Sequence, residues 1–248
     1  MEQIGFSAHA PVPFENRWSI LPEKFEKYIA EVRLLNKEFN TDIEVLLALE
    51  IDFIPGITAN FSTYNKHQLD YIIGSIHFVK NAENNSLWFI DGPIEGYIDG
   101  VDKVFNNNIQ LAIENYYSQI SEMVFTQKPD IIGHFDKVKM NNKNRFFTED
   151  EKWYQNIIDK TLKNIQKSGC IIEINTRGIY RKKCDSLFPS TSIIEKIHHL
   201  NIPIIVSSDA HQPSELINNF EETFKILKQI GITKTKVLIN GKWQDKNI

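Results

Sequence analysis

The chain is poor in the features that mark membrane, secreted and disordered proteins. Its 248 residues include two cysteines, Cys170 and Cys184, which cannot build a disulfide framework and fit a reducing compartment. No apolar run approaches the roughly 18 to 20 residues that span a bilayer. The beginning of the sequence also lacks the charged and apolar regions of a signal peptide. We therefore expect a cytoplasmic protein with no membrane partner.

The sequence also lacks an excess of basic residues. Its 28 Lys and Arg residues are outnumbered by 32 Asp and Glu residues, which gives a formal net charge of −4. Sequence-independent binding of nucleic acid needs a basic surface, so we expect no nucleic-acid partner. Apolar residues make up 42% of the chain, which is enough for a sizeable core. Because no repeat, long linker or charge block divides the sequence, we predict a single domain over residues 1–248.

Two sequence patterns alternate along the chain. Short runs rich in β-branched residues predict strands at residues 4–7, 44–51, 71–78, 130–133, 169–175, 202–207 and 236–239. Helical spacing of apolar residues predicts helices at residues 22–39, 108–125, 148–167, 190–200 and 218–230. This alternation implies an α/β fold of parallel βαβ units, and about seven units favour a (β/α) barrel over an open sheet. Periodicity alone does not separate the two architectures.

One long connection, residues 81–107, shows no clear helical period. Long loops on a barrel are commonly lids or binding loops. Asp91 and Glu95 in this segment either face a substrate amine or keep the loop soluble, and we expect the second role. Trp88 in the same segment, like Trp18 and Trp153, is expected to pack rather than to stack on a ligand.

Ionisable and amide side chains recur where the predicted strands end. They are His9, Glu50, Asp52, His77, His134, Asp136, Glu173, Asn175, Asp209 and His211. The carboxyl ends of parallel strands meet on one side of a barrel or sheet, so these side chains are expected to lie together. Imidazole and carboxylate are the ligands of zinc, manganese and iron, which predicts a divalent metal site. His67, His198 and His199 do not follow a predicted strand end and are not expected to take part.

Six segments, in this order and spacing, closely resemble the histidinol-phosphatases of the PHP superfamily. The segments are IGFSAHAP (residues 4–11), LEID (49–52), DYIIGSIHF (70–78), DIIGHFD (130–136), EINT (173–176) and SDAH (208–211). The resemblance covers essentially the whole chain. It implies a distorted, TIM-like (β/α)7 barrel and a metal-dependent phosphoesterase that converts L-histidinol phosphate to L-histidinol and phosphate in histidine biosynthesis. Hydrolysis of another phosphate ester is the alternative activity.

The resemblance also implies roles for particular residues. The family holds up to three divalent ions, with Zn, Mn and Fe as the candidates. The implied ligands are His9, Glu50, His77, His134, Asp209 and His211. Glu50 would bridge two ions, His77 and His134 would complete one of those sites, and Asp209 would serve the other. His211 and His9 would serve the third ion. Asp209 and His211 are the implied catalytic residues.

Phosphate recognition needs cations, and three arginines are candidates. Arg177 and Arg181 follow the predicted strand that ends at Asn175, and Arg17 follows the first predicted strand. The planar fork of an arginine guanidinium suits phosphate better than a lysine ammonium does. The alternative for each arginine is a solvated loop charge.

The sequence departs from the family pattern in two places. Ala8 stands where many members have Asp, and no His-x-His pair occurs anywhere in the chain. The resemblance places that pair on the first barrel strand, with Met1 at the end of the helix that follows it. We therefore expect a barrel that lacks its first strand, with an unpaired sheet edge, fewer than three bound ions and weak activity. The sequence leaves open whether its true start lies upstream of Met1.

Overall fold

The computed structural model describes residues 2–248, which form ten β-strands and seven α-helices. The strands are β1 (Gln3–His9), β2 (Glu44–Asp52), β3 (Tyr71–Ser75), β4 (Phe78–Lys80), β5 (Leu87–Phe89), β6 (Ile131–Ile132), β7 (Ile171–Asn175), β8 (Ile204–Ser207), β9 (Lys234–Ile239) and β10 (Lys242–Asn247). The helices are α1 (Phe25–Phe39), α2 (Ile94–Lys103), α3 (Ile109–Thr126), α4 (Lys152–Ser168), α5 (Arg177–Tyr180), α6 (Thr191–His199) and α7 (Phe220–Ile230). Met1, which the family resemblance places at the end of a helix, lies outside the described residues.

A curled sheet of six parallel strands organises the fold. Its strand order is β1-β2-β3-β6-β7-β8, and every neighbouring pair runs parallel. The two end strands, β1 and β8, line the same groove, so the sheet curls into a half-barrel. The predicted α/β class with parallel βαβ units is therefore confirmed. The count of seven barrel units is not confirmed, because residues 2–248 place six strands in this sheet.

Local sequence explains where the outer elements begin and end. In α4 the side chains of Ile158, Leu162 and Ile165 recur every three or four residues and are fully buried. Gly169 ends this helix with φ +77°, a left-handed conformation that glycine adopts at little cost. The strand β7 that follows is buried at all five positions, as expected for a strand covered on both faces.

The final hairpin covers the amino ends of the sheet strands. The strand predicted at residues 236–239 does not join the sheet but pairs antiparallel with β10. Trp243 of β10 packs with Tyr71 at the beginning of β3, and its Nε1 lies 3.4 Å from Asp130 Oδ1, just before β6. The carboxyl ends of the strands are left for a functional site.

Two predictions about element boundaries are wrong. The strand predicted at residues 71–78 ends at Ser75, and Phe78 begins the separate hairpin β4–β5. The connection 81–107 contains β5 and α2 instead of being irregular. Two glycines, Gly96 and Gly100, lower the helix propensity of α2 and disguise its period. Gly100 is required there because a Cβ atom would lie 1.8 Å from the indole of the buried Trp88.

No helix within residues 2–248 is long and apolar enough to cross a membrane.

Candidate metal centre

Adjacent strand ends bring four of the predicted ligands together. His9 ends β1 and pairs in register with Glu50 of β2, while His77 follows β3 and His134 follows β6. Because β1, β2, β3 and β6 are neighbours in the parallel sheet, their carboxyl ends place these side chains on one rim.

Three of these side chains converge on one point. Glu50 Oε1 lies 3.1 Å from His134 Nε2 and 3.9 Å from His77 Nε2. One ligand atom from each of the three residues lies within 4.8 Å of the other two. The imidazoles are buried, and Glu50 retains 12% exposure of its side chain. This arrangement offers one carboxylate oxygen and two imidazole nitrogens to a single ion.

Asp52 is buried beside His77 and His9. Its Oδ1 lies 2.6 Å from His77 Nδ1, so it accepts a hydrogen bond that leaves His77 Nε2 as the free ligand atom. Its Oδ2 lies 3.4 Å from His9 Nδ1, and His9 Nε2 lies 3.6 Å from Glu50 Oε2. His9, Asp52 and His77 form a second group whose ligand atoms lie within 4.8 Å. His77 belongs to both groups.

These residues fit a divalent metal ion. Among residues 2–248, His9 Nδ1 and Asp52 Oδ2, which lie 3.4 Å apart in the second group, are buried atoms without a hydrogen-bond partner. Buried polar atoms are nearly always satisfied, so this unsatisfied pair indicates a missing water or ion. Nitrogen and carboxylate oxygen donors are the ligand types of zinc and its neighbours.

The charges at the centre are strongly coupled. Burial alone would raise the pKa of Glu50, but the imidazoles of His9, His134 and His77 outweigh it and hold that pKa well below the ordinary value. Burial and the ammonium of Lys137 lower the pKa of His134. Burial also opposes protonation of His9, yet the carboxylates of Glu50 and Asp52 raise its pKa to about 9. A dication would compete with the proton for these donors.

Asp209 lies across a small cavity from this group. The cavity of about 20 Å³ is lined by Asp209, Glu50, His134 and Glu173, among others. Burial, followed by the charge of Asp209, raises the pKa of Glu173 to about 7. Glu173 Oε2 accepts hydrogen bonds from the backbone N–H of His134 at 2.7 Å and from Asn175 Nδ2 at 3.1 Å. Glu173 therefore fixes the loop that carries His134.

Two of the site residues have unusual backbone conformations. His134 has φ +22° and Asp209 has φ +48°, and neither is a glycine. Left-handed backbone at residues other than glycine costs on the order of 1 kcal/mol and concentrates at functional sites. Each residue comes two positions after the end of a sheet strand, where the chain turns sharply and directs the side chain.

The remaining predicted residues contact Asp209 and Glu215 or lie on an exposed loop. His211 is 57% exposed, and its Nδ1 lies 3.5 Å from Asp209 Oδ1. Arg177 donates to the carbonyl oxygen of Asp209 at 2.7 Å and to Glu215 Oε2 at 3.2 Å. Arg181 is 51% exposed and pairs with the other Glu215 oxygen at 3.1 Å. Arg17 is exposed on the loop after β1 and makes no ion pair within the described part of the chain.

A groove of about 940 Å³ opens beside the centre. It runs between β1 on one side and β8 with β9 on the other, and His9, Glu50, Asp209 and His211 line its end at the carboxyl side of the sheet. A cavity of this size accommodates a small organic ligand.

Sequence reasoning missed two residues that border the centre, Lys137 and Glu215, and favoured a different role for a third, Asp91. Lys137 Nζ lies 2.9 Å from Asp91 Oδ2, and the same oxygen lies 4.0 Å from His77 Nε2. Asp91, expected to keep a loop soluble, therefore faces the site. Glu215 binds both arginines and also accepts from the backbone N–H of His211 at 2.8 Å. The sequence could have indicated Lys137, because it comes three residues after His134. Nothing in the sequence indicated Glu215.

A parallel α/β half-barrel with imidazole and carboxylate donors at its strand ends defines a class of metal-dependent enzymes. The model of the PHP domain matches residues 1–177, more than half of the chain, and the chain belongs to the PHP family.

Curated relatives agree with this assignment along most of the chain. The histidinol-phosphatase of Bacillus subtilis is 24% identical over 230 residues, which cover 87% of this chain and 84% of that protein. A Deinococcus radiodurans protein named "Probable histidinol-phosphatase" is 27% identical over 232 residues, covering 92% of this chain and 82% of that protein.

Two crystal structures share the fold. One, from Listeria monocytogenes, has a TM-score of 0.77 at 19% identity and covers 89% of this chain and 88% of that chain. The other is a histidinol phosphate phosphatase from Lactococcus lactis complexed with zinc, L-histidinol and phosphate. It has a TM-score of 0.67 at 17% identity and covers 98% of this chain and 88% of that chain.

Proposed function

We propose that this protein is a metal-dependent histidinol-phosphatase, which hydrolyses L-histidinol phosphate to L-histidinol and inorganic phosphate. The observation that carries the proposal is the convergence of Glu50 Oε1 with the Nε2 atoms of His77 and His134 at the rim of the sheet. The substrate is supported by the curated relatives that bear this activity in their names. It is also supported by the L-histidinol and phosphate in the Lactococcus lactis structure.

Glu50, His77 and His134 are the residues that would hold the metal. A divalent ion bound there supplies Lewis acidity, which activates water and neutralises negative charge on the phosphate. Asp52 accepts a hydrogen bond from His77 Nδ1 and so keeps His77 in the tautomer that presents Nε2. Glu173 holds the backbone of His134 in its strained turn. These contacts pre-organise the donors before any ligand arrives.

Asp209 and His211 are proposed to act on the substrate from the opposite side of the small cavity. The carboxylate of Asp209 lies 3.5 Å from His211 Nδ1, and both line the open groove. This pair can pass a proton to the leaving alkoxide as the P–O bond breaks. Arg177 and Arg181 remain candidates for phosphate binding, although both are held by Glu215.

Zinc is the proposed metal, since two imidazoles and a carboxylate suit it and the Lactococcus lactis structure contains it. We propose fewer than three bound ions, because the two donor groups among residues 2–248 share His77. We also propose one domain over residues 1–248 and a cytoplasmic location. The free thiols of Cys170 and Cys184 support that location.

Phosphate release from L-histidinol phosphate tests the proposal. The metal-loaded protein should release phosphate, and treatment with a chelator should abolish the release until zinc is restored. His77→Ala and Asp209→Asn should each lower kcat/KM by at least about 100-fold, because each removes a group at the reacting centre. Full activity after chelation, or full activity in both variants, would contradict the proposal. A faster reaction with another phosphate ester would instead reassign the substrate.

A further inference from the structure

Lys137 is a buried cation beside the proposed metal centre, and the roles described so far do not use it. It begins a single 3-10 turn, residues Lys137–Lys139, directly after Asp136. Its backbone N–H donates to the carbonyl oxygen of His134 at 2.9 Å, which ties the lysine to the loop of a proposed ligand. The side chain is only 8% exposed. Burial of an ammonium is costly unless the group is paired or has a ligand to bind.

The carboxylate of Asp91 lies between the Lys137 ammonium and the proposed metal centre. Lys137 Nζ lies 2.9 Å from Asp91 Oδ2, and that oxygen lies 4.0 Å from His77 Nε2. The other oxygen of Asp91 is buried and has no hydrogen-bond partner within residues 2–248. Lys183, which is 44% exposed, approaches that oxygen at 4.0 Å. Asp91 therefore separates the metal donors from two lysines.

Two other cations near the rim already have several partners. Arg177 Nη1 donates to Tyr180, to the Asp209 carbonyl and to Glu215, each within 3.2 Å. Lys139 pairs with Asp136 at 2.7 Å and donates to the Leu187 carbonyl at 3.1 Å. Lys137, in contrast, has one anionic partner within 4.0 Å in the described chain. An ammonium has three N–H donors, so Lys137 has donors left for a ligand.

We propose that Lys137 binds a phosphate oxygen of the substrate. This inference rests on the proposed function in one respect, that the substrate is a phosphate monoester. Such a substrate brings about two negative charges to a rim that already carries Glu50, Asp52 and Asp209. A preplaced, buried ammonium offsets this repulsion, and its charge-assisted hydrogen bond is stronger there than in bulk water. Asp91 holds the ammonium in position until the phosphate arrives.

Binding of inorganic phosphate to the zinc-loaded protein, measured by calorimetry, tests this role apart from turnover. Lys137→Met removes the charge but keeps the length and bulk of the side chain. We expect it to weaken phosphate binding by about 10- to 100-fold, the loss of one charge-assisted hydrogen bond. Lys137→Arg keeps a cation and should recover most of the affinity. Zinc content and melting temperature should stay close to those of the wild type in both variants.

Lys183→Met is the matched control, because it removes a lysine that faces the same carboxylate from a more exposed position. We expect it to change phosphate affinity by less than about threefold. Wild-type affinity in a folded, zinc-loaded Lys137→Met variant would overturn the inference and leave Lys137 as a structural partner of Asp91. No phosphate binding by the wild type would overturn it as well. Lys137-dependent phosphate binding without hydrolysis of L-histidinol phosphate would support the inference and reject the proposed substrate.

Discussion

Substitution of Asp52 is expected to weaken zinc binding in a graded way. The Asp52 carboxylate is 1% exposed and lies 2.6 Å from His77 Nδ1, so it makes a buried, charge-assisted hydrogen bond. Such bonds are worth about 1.5 to 3 kcal/mol, against about 0.5 to 1.5 kcal/mol for neutral ones. Asp52→Asn keeps an acceptor oxygen without the charge and should weaken zinc affinity about tenfold. Asp52→Ala removes the acceptor as well and should weaken it about 100-fold.

Competition of each variant with a chromophoric chelator for zinc measures these affinities directly. Asp99→Asn is the matched control, since it makes the same chemical change at an exposed residue that pairs with Lys103 on α2. The control should bind zinc as the wild type does. If Asp52→Ala is folded and binds zinc within about twofold of the wild type, the reasoning that Asp52 orients His77 is wrong.

Two further predictions concern stability. Gly100→Ala should destabilise the protein by about 1 to 3 kcal/mol in urea unfolding, because the added Cβ meets the buried Trp88. Gly96→Ala, in the same helix with no atom within 4 Å of its added Cβ, should be neutral or stabilising by up to about 1 kcal/mol; equal effects would contradict this. In the metal-free protein, burial raises the pKa of Glu173 to about 7, so the folded state keeps a proton that an unfolded glutamate, with a pKa of 4.5, has released. The free energy of unfolding should therefore decrease as the pH rises from 4.5 to 7. Glu173→Gln should flatten that decrease in urea titrations, and an unchanged pH profile in the variant would contradict the prediction.

Much of the fold could be predicted because its buried strands are continuous apolar runs. The run that becomes β2 and the run that becomes β7 are buried almost throughout, and neither shows the helical spacing of apolar and polar side chains. Helix α4 was equally clear, since its apolar side chains repeat at helical spacing. Helix α2 was not, because two glycines interrupt the pattern and only packing on Trp88 explains one of them.

The candidate metal centre was partly predictable for a topological reason. His9, Glu50, His77 and His134 each come at a strand end, and a parallel sheet collects such ends on one rim. The partner of Lys137 could not be predicted, because Asp91 lies in the connection between β5 and α2, far from Lys137 in the sequence. Nor could the sequence show that Glu215 holds Arg177 and Arg181, since that contact depends on the turn before α7.

The most direct test of the central claim compares kcat/KM of the zinc-loaded protein for L-histidinol phosphate with kcat/KM for a panel of other phosphate monoesters. The groove and the rim of donors should favour L-histidinol phosphate over a sugar phosphate and a nucleotide by at least about tenfold, or about 1.4 kcal/mol of transition-state stabilisation. Equal kcat/KM values across the panel would contradict the account. Activity that does not depend on zinc would contradict it as well.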